Sequence, residues 1–310
     1  MRVLFTETDS RVIAALPSLA REGVHVSLLD QAGPARQLAQ QLDVSLRGVD
    51  LIDTIPDRGA LANNLARKRG SELWLAEKLL ERPVYAGLAM LAANRVDAVV
   101  AGVTSHTADV LVACEMCLGF APGTTVASGA FVIDTHERGT LIFADCAVNP
   151  DPTAEQLARI AITTAQTAAD LLCADPRVAM LSFSTHGSAH HPRVAKVAQA
   201  TELARALKPD LAIEGEIQAD VALDPIAAAY KSGPDPEMVA GVANVLVFPD
   251  LDSGNIAYKL VRTLARANAY GALLQGYARP VAKLSRGVTS AEIVGTVRLM
   301  MRQRTGVLAA

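Results

Sequence analysis

Three polar loops in this chain carry side chains in combinations that can do chemistry. The first is Leu284-Ser285-Arg286-Gly287-Val288-Thr289-Ser290-Ala291-Glu292. A hydroxyl, a guanidinium and the unpaired backbone N–H groups of a following helix gather there, a combination that holds anions. Glu292 has two readings: Thr289-x-x-Glu292 is a capping box, in which the carboxylate curls back onto the N-cap amide, and the same carboxylate could carry a proton. The second loop, Ser182-Phe183-Ser184-Thr185-His186-Gly187-Ser188-Ala189, offers hydroxyl donors to a phosphate or carbonyl oxygen, or is an ordinary loop capping the next helix. The third, Pro249 to Lys259, contains Asp250 and Asp252, which suggest a metal but equally read as caps beside a helix start. Asn255 and Lys259 lie four apart, on one helix face that could hold a polar ligand.

The elements that must position these loops read as alternating strands and helices. Val3–Phe5, Val24–Leu29 and Ala98–Ala101 are expected strands, with helices over Arg11–Arg21, Pro83–Asn94 and from Thr107. The rhythm restarts after about residue 125. Leu141–Ala144 is a strand, and Asp151-Pro152 supplies an N-cap and a first-turn proline for a helix through Leu172. Strands Val178–Phe183, Leu211–Glu214 and Asn244–Phe248 follow, with helices after Pro192, from Ser253 and over Thr289–Arg302. Pro122-Gly123 and Ser232-Gly233-Pro234-Asp235-Pro236 read as surface turns. The fold class is α/β, with mostly parallel sheets, and ligands in such sheets bind beyond the carboxyl ends of the strands.

Composition removes several alternatives. At about 150 residues per domain, 310 residues suggest two domains. Twenty-nine basic against 32 acidic residues give no global pull toward nucleic acid, and no apolar run reaches the roughly 18 residues of a membrane span. The start, MRVLFTETDS, reads as a strand and turn rather than a signal peptide. Cys114, Cys117, Cys146 and Cys173 sit in apolar patterns, as reduced thiols of a cytoplasmic protein do. Cys114-x-x-Cys117 lacks a second ligand pair at zinc spacing and reads as part of a buried helix. His25 falls within a strand, and His136, His186, His190 and His191 in loops. GxGxxG, GxxxxGK[ST] and GxSxG are all absent.

Several long segments, in order along the chain, resemble the phosphate acetyltransferase (phosphotransacetylase) family. They are Phe143-Ala-Asp-Cys-Ala-Val-Asn-Pro-Asp-Pro-Thr-Ala-Glu-Gln-Leu-Ala, Pro176-Arg-Val-Ala-Met-Leu-Ser-Phe-Ser-Thr, Ala243-Asn-Val-Leu-Val-Phe-Pro-Asp-Leu-Asp-Ser-Gly-Asn-Ile, Leu274-Gln-Gly and Leu284-Ser-Arg-Gly. The chain is most similar to the short single-module enzymes, including those of ethanolamine utilisation. The resemblance implies reversible acetyl transfer between coenzyme A and phosphate, in the cytoplasm, by a homodimer with no permanently bound cofactor or metal. It also implies two α/β domains with a cleft between them, like the isocitrate and isopropylmalate dehydrogenases, here 1–125 plus 285–310 and 126–284.

By the same resemblance, Glu292 takes the CoA thiol proton, Arg286 holds phosphate or acyl phosphate, and Ser285 steadies the sulfur or carbonyl. Ser128, Thr185, Ser188, Asn255, Lys259 and Arg67 are the expected substrate contacts. A free glutamate with a pKa of ~4.3 is a poor base for a thiol with a pKa of ~8.5, a gap of about 5.7 kcal/mol. Burial of the carboxylate, with Arg286 and the helix N-terminus favouring the thiolate, would narrow it. Two departures stand out. The family arginine after His106-Thr107-Ala108-Asp109-Val110-Leu111 is Val112 here, and the basic helix Leu65-Ala66-Arg67-Lys68-Arg69 matches in only one of two registers. Losing an arginine–phosphate contact costs about 1.5–3 kcal/mol. An active acyltransferase is therefore the first reading and a non-catalytic acyl-CoA-binding regulator the alternative; Asp250 and Asp252 motivate a third, a metal-dependent dehydrogenase.

Overall fold

The computed structural model describes residues 1–31, 33–135, 137–172, 174–232 and 239–307, the side chains of 232 and 304–307 excepted. His136, Cys173 and the expected turn from Gly233 to Pro236 lie outside these residues. The chain divides into two compact units, Met1–Gly123 with the segment from Gly271, and Thr124–Tyr270.

The first unit begins β1 (Arg2–Phe5), α1 (Ser10–Arg21), β2 (His25–Leu29), α2 (Pro34–Gln41), β3 (Asp50–Ile52), α3 (Arg58–Arg69), α4 (Leu73–Leu79), α5 (Pro83–Ala92), β4 (Ala98–Ala101) and α6 (Thr107–Cys117). The second holds β5 (Ser128–Thr135), β6 (Gly139–Ala144), α7 (Ala154–Leu172), β7 (Arg177–Leu181), α8 (Pro192–Leu207), β8 (Ala212–Ile217), α9 (Ala219–Leu223), α10 (Pro225–Ser232), β9 (Val245–Val247) and α11 (Leu251–Leu264). The chain returns through β10 (Asn268–Gln275) and adds β11 (Val281–Lys283) and α12 (Ser290–Val307) to the first unit.

Strand order in the first unit is β3-β2-β1-β4-β11-β10 and in the second β5-β6-β9-β7-β8. Pairing is parallel, with Val3 opposite Val26 and Ala98, except at the antiparallel pairs β10–β11 and β5–β6. Parallel strands are covered on both faces, so they read as unbroken apolar runs; β4 (AVVA) is buried along its whole length. Helix α1 follows the amphipathic rule, burying Val12, Ile13, Leu16 and Leu19 while the Asp9 carboxylate caps the Arg11 amide. Truncating a buried leucine of this kind to alanine costs about 2–5 kcal/mol.

Local chemistry moves several boundaries. The helix expected from Asp151-Pro152 starts at Ala154 instead. Thr153 and Gln156 form a reciprocal capping box, with Thr153 N donating to Gln156 Oε1 at 2.9 Å and Gln156 N to Thr153 Oγ1 at 3.3 Å. Asp151 pairs with Lys196 Nζ at 2.7 Å. The strand expected to reach Phe183 stops at Leu181, because pairing with β8 shifts register there and Ser182 N turns to Ile217 O. Helix α11 starts two residues before Ser253, capped by Asp250, whose Oδ1 accepts from Ser253 N at 2.8 Å. Cys114 and Cys117 are buried in α6, and burial pushes the Cys117 thiol up to about 12. Among the described residues no helix is long and apolar enough to cross a membrane.

Candidate active site

In the first unit, β1, β4 and β11 are parallel neighbours, so the loops leaving their carboxyl ends share one edge of the sheet. These loops are Thr6–Asp9, Gly102–His106 and Leu284–Thr289. Gly102 has φ +92°, and a Cβ there would sit 2.8 Å from Lys283 Cε and 3.1 Å from Leu284 O, so only glycine lets β4 exit beside β11.

Ser285 to Val288 is a tight turn. Val288 N donates to Ser285 O at 3.0 Å and Gly287 N to Ser285 Oγ at 3.3 Å. Arg286 is exposed, Ser285 half-buried and Glu292 buried. The capping box anticipated from Thr289-x-x-Glu292 is formed: Glu292 Oε2 accepts from Thr289 N at 2.8 Å and Thr289 Oγ1 at 3.0 Å, and Glu292 N donates to Thr289 Oγ1 at 3.2 Å. Ser285, Arg286 and Glu292 are thus gathered at one helix N-terminus, where partial positive charge favours anions.

The turn is braced by the segment after β1. Glu7 accepts from Val103 N and Ser105 N, both at 2.6 Å, and from Thr104 Oγ1 at 3.0 Å. Arg11 is forked onto Asp9 through Nε (2.8 Å) and Nη2 (3.1 Å), while its Nη1 donates to Arg286 O at 2.5 Å and Val288 O at 3.4 Å. The hydrogen bond from Arg11 holds the Asp9 carboxyl below its usual value, and Asp9 raises Arg11 in turn. Neither Glu7 nor Arg11 stood out in the sequence; the only signal was the charge pattern Glu7-x-Asp9-x-Arg11 directly after a strand.

Arg67 lies elsewhere in the first unit, exposed on α3, with Nη2 donating to Asn64 Oδ1 at 3.0 Å. It rims a cavity of about 360 Å³ floored by Leu61, Leu65, Ala89 and Cys117. Its neighbour Lys68 is turned inward, donating to Cys117 O at 3.0 Å and Leu118 O at 2.6 Å, and burial lowers its pKa. Val112 is 49% exposed on α6, presenting an apolar surface where the family arginine was expected.

The other expected contacts lie in the second unit and are organised by buried carboxylates. Asp145, after β6, accepts from the backbone N–H groups of Gly129, Ala147, Val148 and Asn149. This fixes the entry of β5, where Ser128 is buried. A Cβ on Gly254 would lie 2.2 Å from Asp145 O, so α11 starts against this hub and Asn255 Nδ2 donates to Cys146 O at 3.0 Å. Lys259, one turn on, is exposed, its Nζ 5.8 Å from the Tyr258 ring centre.

The loop after β7 is tied to β8. Glu216 accepts from Ser184 Oγ (2.9 Å) and Gly187 N (2.7 Å); burial pushes its carboxyl up, but these bonds and the nearby His186 bring it below the usual value. Thr185 is buried, its Oγ1 accepting from Gln218 N at 3.0 Å, while Ser188 is exposed and its Oγ accepts from Thr185 N at 3.0 Å. The loop does not cap α8. His191 does, its Nδ1 accepting from Arg193 N. Among the described residues no group of three or more His, Cys, Asp and Glu side chains is placed to hold a metal ion.

Residues 1–301 match the profile of the phosphate acetyl/butaryl transferase family. A phosphate acetyltransferase from Thermoanaerobacterium thermosaccharolyticum is 42% identical, covering 95% of this chain and 92% of its own. Among solved structures, a phosphotransacetylase from Streptococcus pyogenes superposes with a TM-score of 0.88 at 37% identity, covering 99% of this chain and 94% of that one. The EutD phosphotransacetylase from Staphylococcus aureus gives 0.84 at 31%, covering 98% and 94%. A more distant likeness, to a 4-hydroxythreonine-4-phosphate dehydrogenase structure from Klebsiella pneumoniae (TM-score 0.56, 13% identity), concerns the fold alone. With the Ser-Arg-Gly turn and its helix in place and the likeness running the length of the chain, the protein belongs to the phosphate acetyl/butaryl transferase family.

Proposed function

We propose that the chain catalyses acetyl-CoA + phosphate ⇌ acetyl phosphate + CoA, with Ser285, Arg286 and Glu292 as its chemical core. The observation that carries the assignment is the turn itself: a guanidinium, a hydroxyl and a buried carboxylate at the N-terminus of α12. Toward acetyl phosphate, a phosphate oxygen attacks the thioester carbonyl, the C–S bond breaks, the departing thiolate takes a proton from Glu292, and the proton lost by hydrogen phosphate restores the Glu292 carboxyl. In reverse, Glu292 takes the thiol proton, the sulfur attacks the acyl carbon, the C–O bond to phosphate breaks, and the departing phosphate carries the proton away. Arg286 steadies phosphate charge and Ser285 the sulfur or carbonyl oxygen, so no acyl-enzyme is needed and alignment with charge stabilisation does the work. Because the Glu292 carboxylate is also the helix cap, it serves cap and thiol in turn.

Ser128, Thr185, Ser188, Asn255, Lys259 and Arg67 are assigned to substrate contacts. Coenzyme A enters as substrate, and no resident cofactor is invoked. The buried thiols of Cys114, Cys117 and Cys146 suit a reducing cytoplasm. Homodimerisation is supported by an exposed apolar stripe on α11, where Ile256 (55%), Leu260 (52%) and Leu264 (77%) lie four residues apart. The exposed Val112 favours one second reading, an acyl-CoA-binding regulator with impaired turnover. Thiol release from acetyl-CoA on adding phosphate separates the two: sustained release supports the enzyme, and tight acetyl-CoA binding without release supports the regulator.

A further inference from the structure

We infer that Arg11 is a positioning residue for the reaction, acting through the backbone of the Ser285–Val288 turn rather than on substrate. The inference rests on the reading of Arg286 as the phosphate ligand. Arg11 and Arg286 are 275 residues apart in sequence, yet the Arg11 guanidinium bonds the carbonyls on both sides of Gly287, those of Arg286 and Val288. In a trans peptide the N–H points opposite the C=O. Holding the Arg286 carbonyl toward Arg11 therefore turns the Gly287 N–H away, to where Ser285 Oγ accepts it. One guanidinium thus fixes the peptide that carries Arg286 and the hydroxyl rotor of Ser285 together.

The brace is itself held rigid. Asp9 engages Nε and Nη2 of Arg11 with its two carboxylate oxygens, the planar two-point pairing that leaves one guanidinium edge aimed outward, here at the turn. The Asp9 carboxylate also caps α1 through the Arg11 amide at 2.9 Å. Two residues earlier, Glu7 anchors the segment to Val103 N and Ser105 N of the neighbouring loop. Two residues of backbone connect Glu7 to Asp9, and Glu7 to the loop after β4, Asp9 to Arg11, and Arg11 to the turn are each joined by hydrogen bonds with at least one charged partner. Such bonds resist the small displacements that cost most when a binding group must be aligned.

The test is steady-state kinetics of the full-length protein with inorganic phosphate and acetyl-CoA varied in turn, for Arg11→Ala, Arg11→Lys, Arg286→Ala and, as a control, Arg298→Ala. Arg298 pairs with Glu22 at 2.5 Å and joins α1 to α12 six residues beyond Glu292. A positioning role predicts that Arg11→Ala raises the KM for phosphate about tenfold while the KM for acetyl-CoA stays within about twofold. Lysine keeps the charge and a single donor nitrogen but loses the fork, so Arg11→Lys falls between, at about threefold. The control keeps both KM values. A merely structural role predicts that kcat falls with the folded fraction and both KM values hold; that result overturns the inference while leaving Arg286 as phosphate ligand. An Arg286→Ala protein with unchanged phosphate KM overturns the Arg286 reading, and the inference with it. If Arg11→Ala does not fold, a folded Arg11→Lys protein with wild-type phosphate KM is the overturning result.

Discussion

The loop after β11 and the loop after β7 are built from similar residues and organised in opposite ways. Both leave parallel strands, both are rich in hydroxyls, and both lead into a long helix. After β7 two of the hydroxyls turn inward while Ser188 stays exposed: Ser184 binds buried Glu216, Thr185 exchanges bonds with Gln218, and the loop is held from beneath by a carboxylate on the adjacent strand. After β11 the loop is held from the side by Arg11, and its own guanidinium is left exposed. An anchor below the loop occupies most of the hydroxyls that face it and leaves only Ser188 outward, whereas an anchor on its carbonyls leaves the side chains of the turn for a ligand. Hydroxyl content alone therefore does not distinguish a scaffold loop from a chemical one; the partners of its backbone do.

The largest effect should fall on the exposed guanidinium. Arg286→Ala is expected to lower kcat/KM for phosphate about 100-fold, the scale of a lost charge-assisted contact. A drop of less than threefold would mean that this loop is scaffold. Next comes the anchor of the inward loop. Glu216→Ala leaves Ser184 Oγ and Gly187 N without their acceptor and is expected to cost roughly 2–3 kcal/mol in urea denaturation. Full retention of stability would show that water replaces the carboxylate.

A smaller effect comes from Thr153, whose half of a capping box is worth about 1 kcal/mol; Thr153→Ala should lower stability by that much without changing either KM. The pH dependence of the Asp9–Arg11 brace has a defined sign. The folded carboxyl sits below its ordinary value of 3.8, so its stabilisation is complete above that value and fades as pH falls through the lower one. The gap in urea midpoint between wild type and Asp9→Asn should hold from pH 7 to about 5 and narrow below about 4. The pair is partly exposed, so the gap is modest and shrinks in salt. Least affected is Cys117, whose buried thiol stays protonated at neutral pH; Cys117→Ala should leave the rate of native-state thiol labelling unchanged.

Much of this molecule can be read along the chain, and the remainder depends on contacts across it. The strands with fully buried apolar runs, β1, β4 and β7, announce themselves, as do the amphipathic α1 and the Ser-Arg-Gly turn. Helix α3, with the sequence RGALANNLARKR, does not, because its apolar stripe is only Leu61, Ala62, Leu65 and Ala66 and is defined by what packs on it. Strand β11 has three residues, too few for any period to show. At Asp151 to Gln156 two caps compete in sequence, and the reciprocal Thr153–Gln156 pair prevails because it satisfies two amides. The roles of Arg11, Glu7 and Glu216 were not legible, since each partner lies between 29 and 275 residues away.

The central claim is that Glu292 carries the thiol proton as well as capping α12, and Glu292→Gln separates the two roles. Glutamine is accepted at this position of a capping box, so the cap and thermal stability should survive, but an amide cannot hold the proton. Thiol release from acetyl-CoA in the presence of phosphate should fall at least about 100-fold with the melting temperature within about 2 °C of wild type. Release within about threefold of wild type would contradict the assignment and leave Glu292 as a helix cap alone.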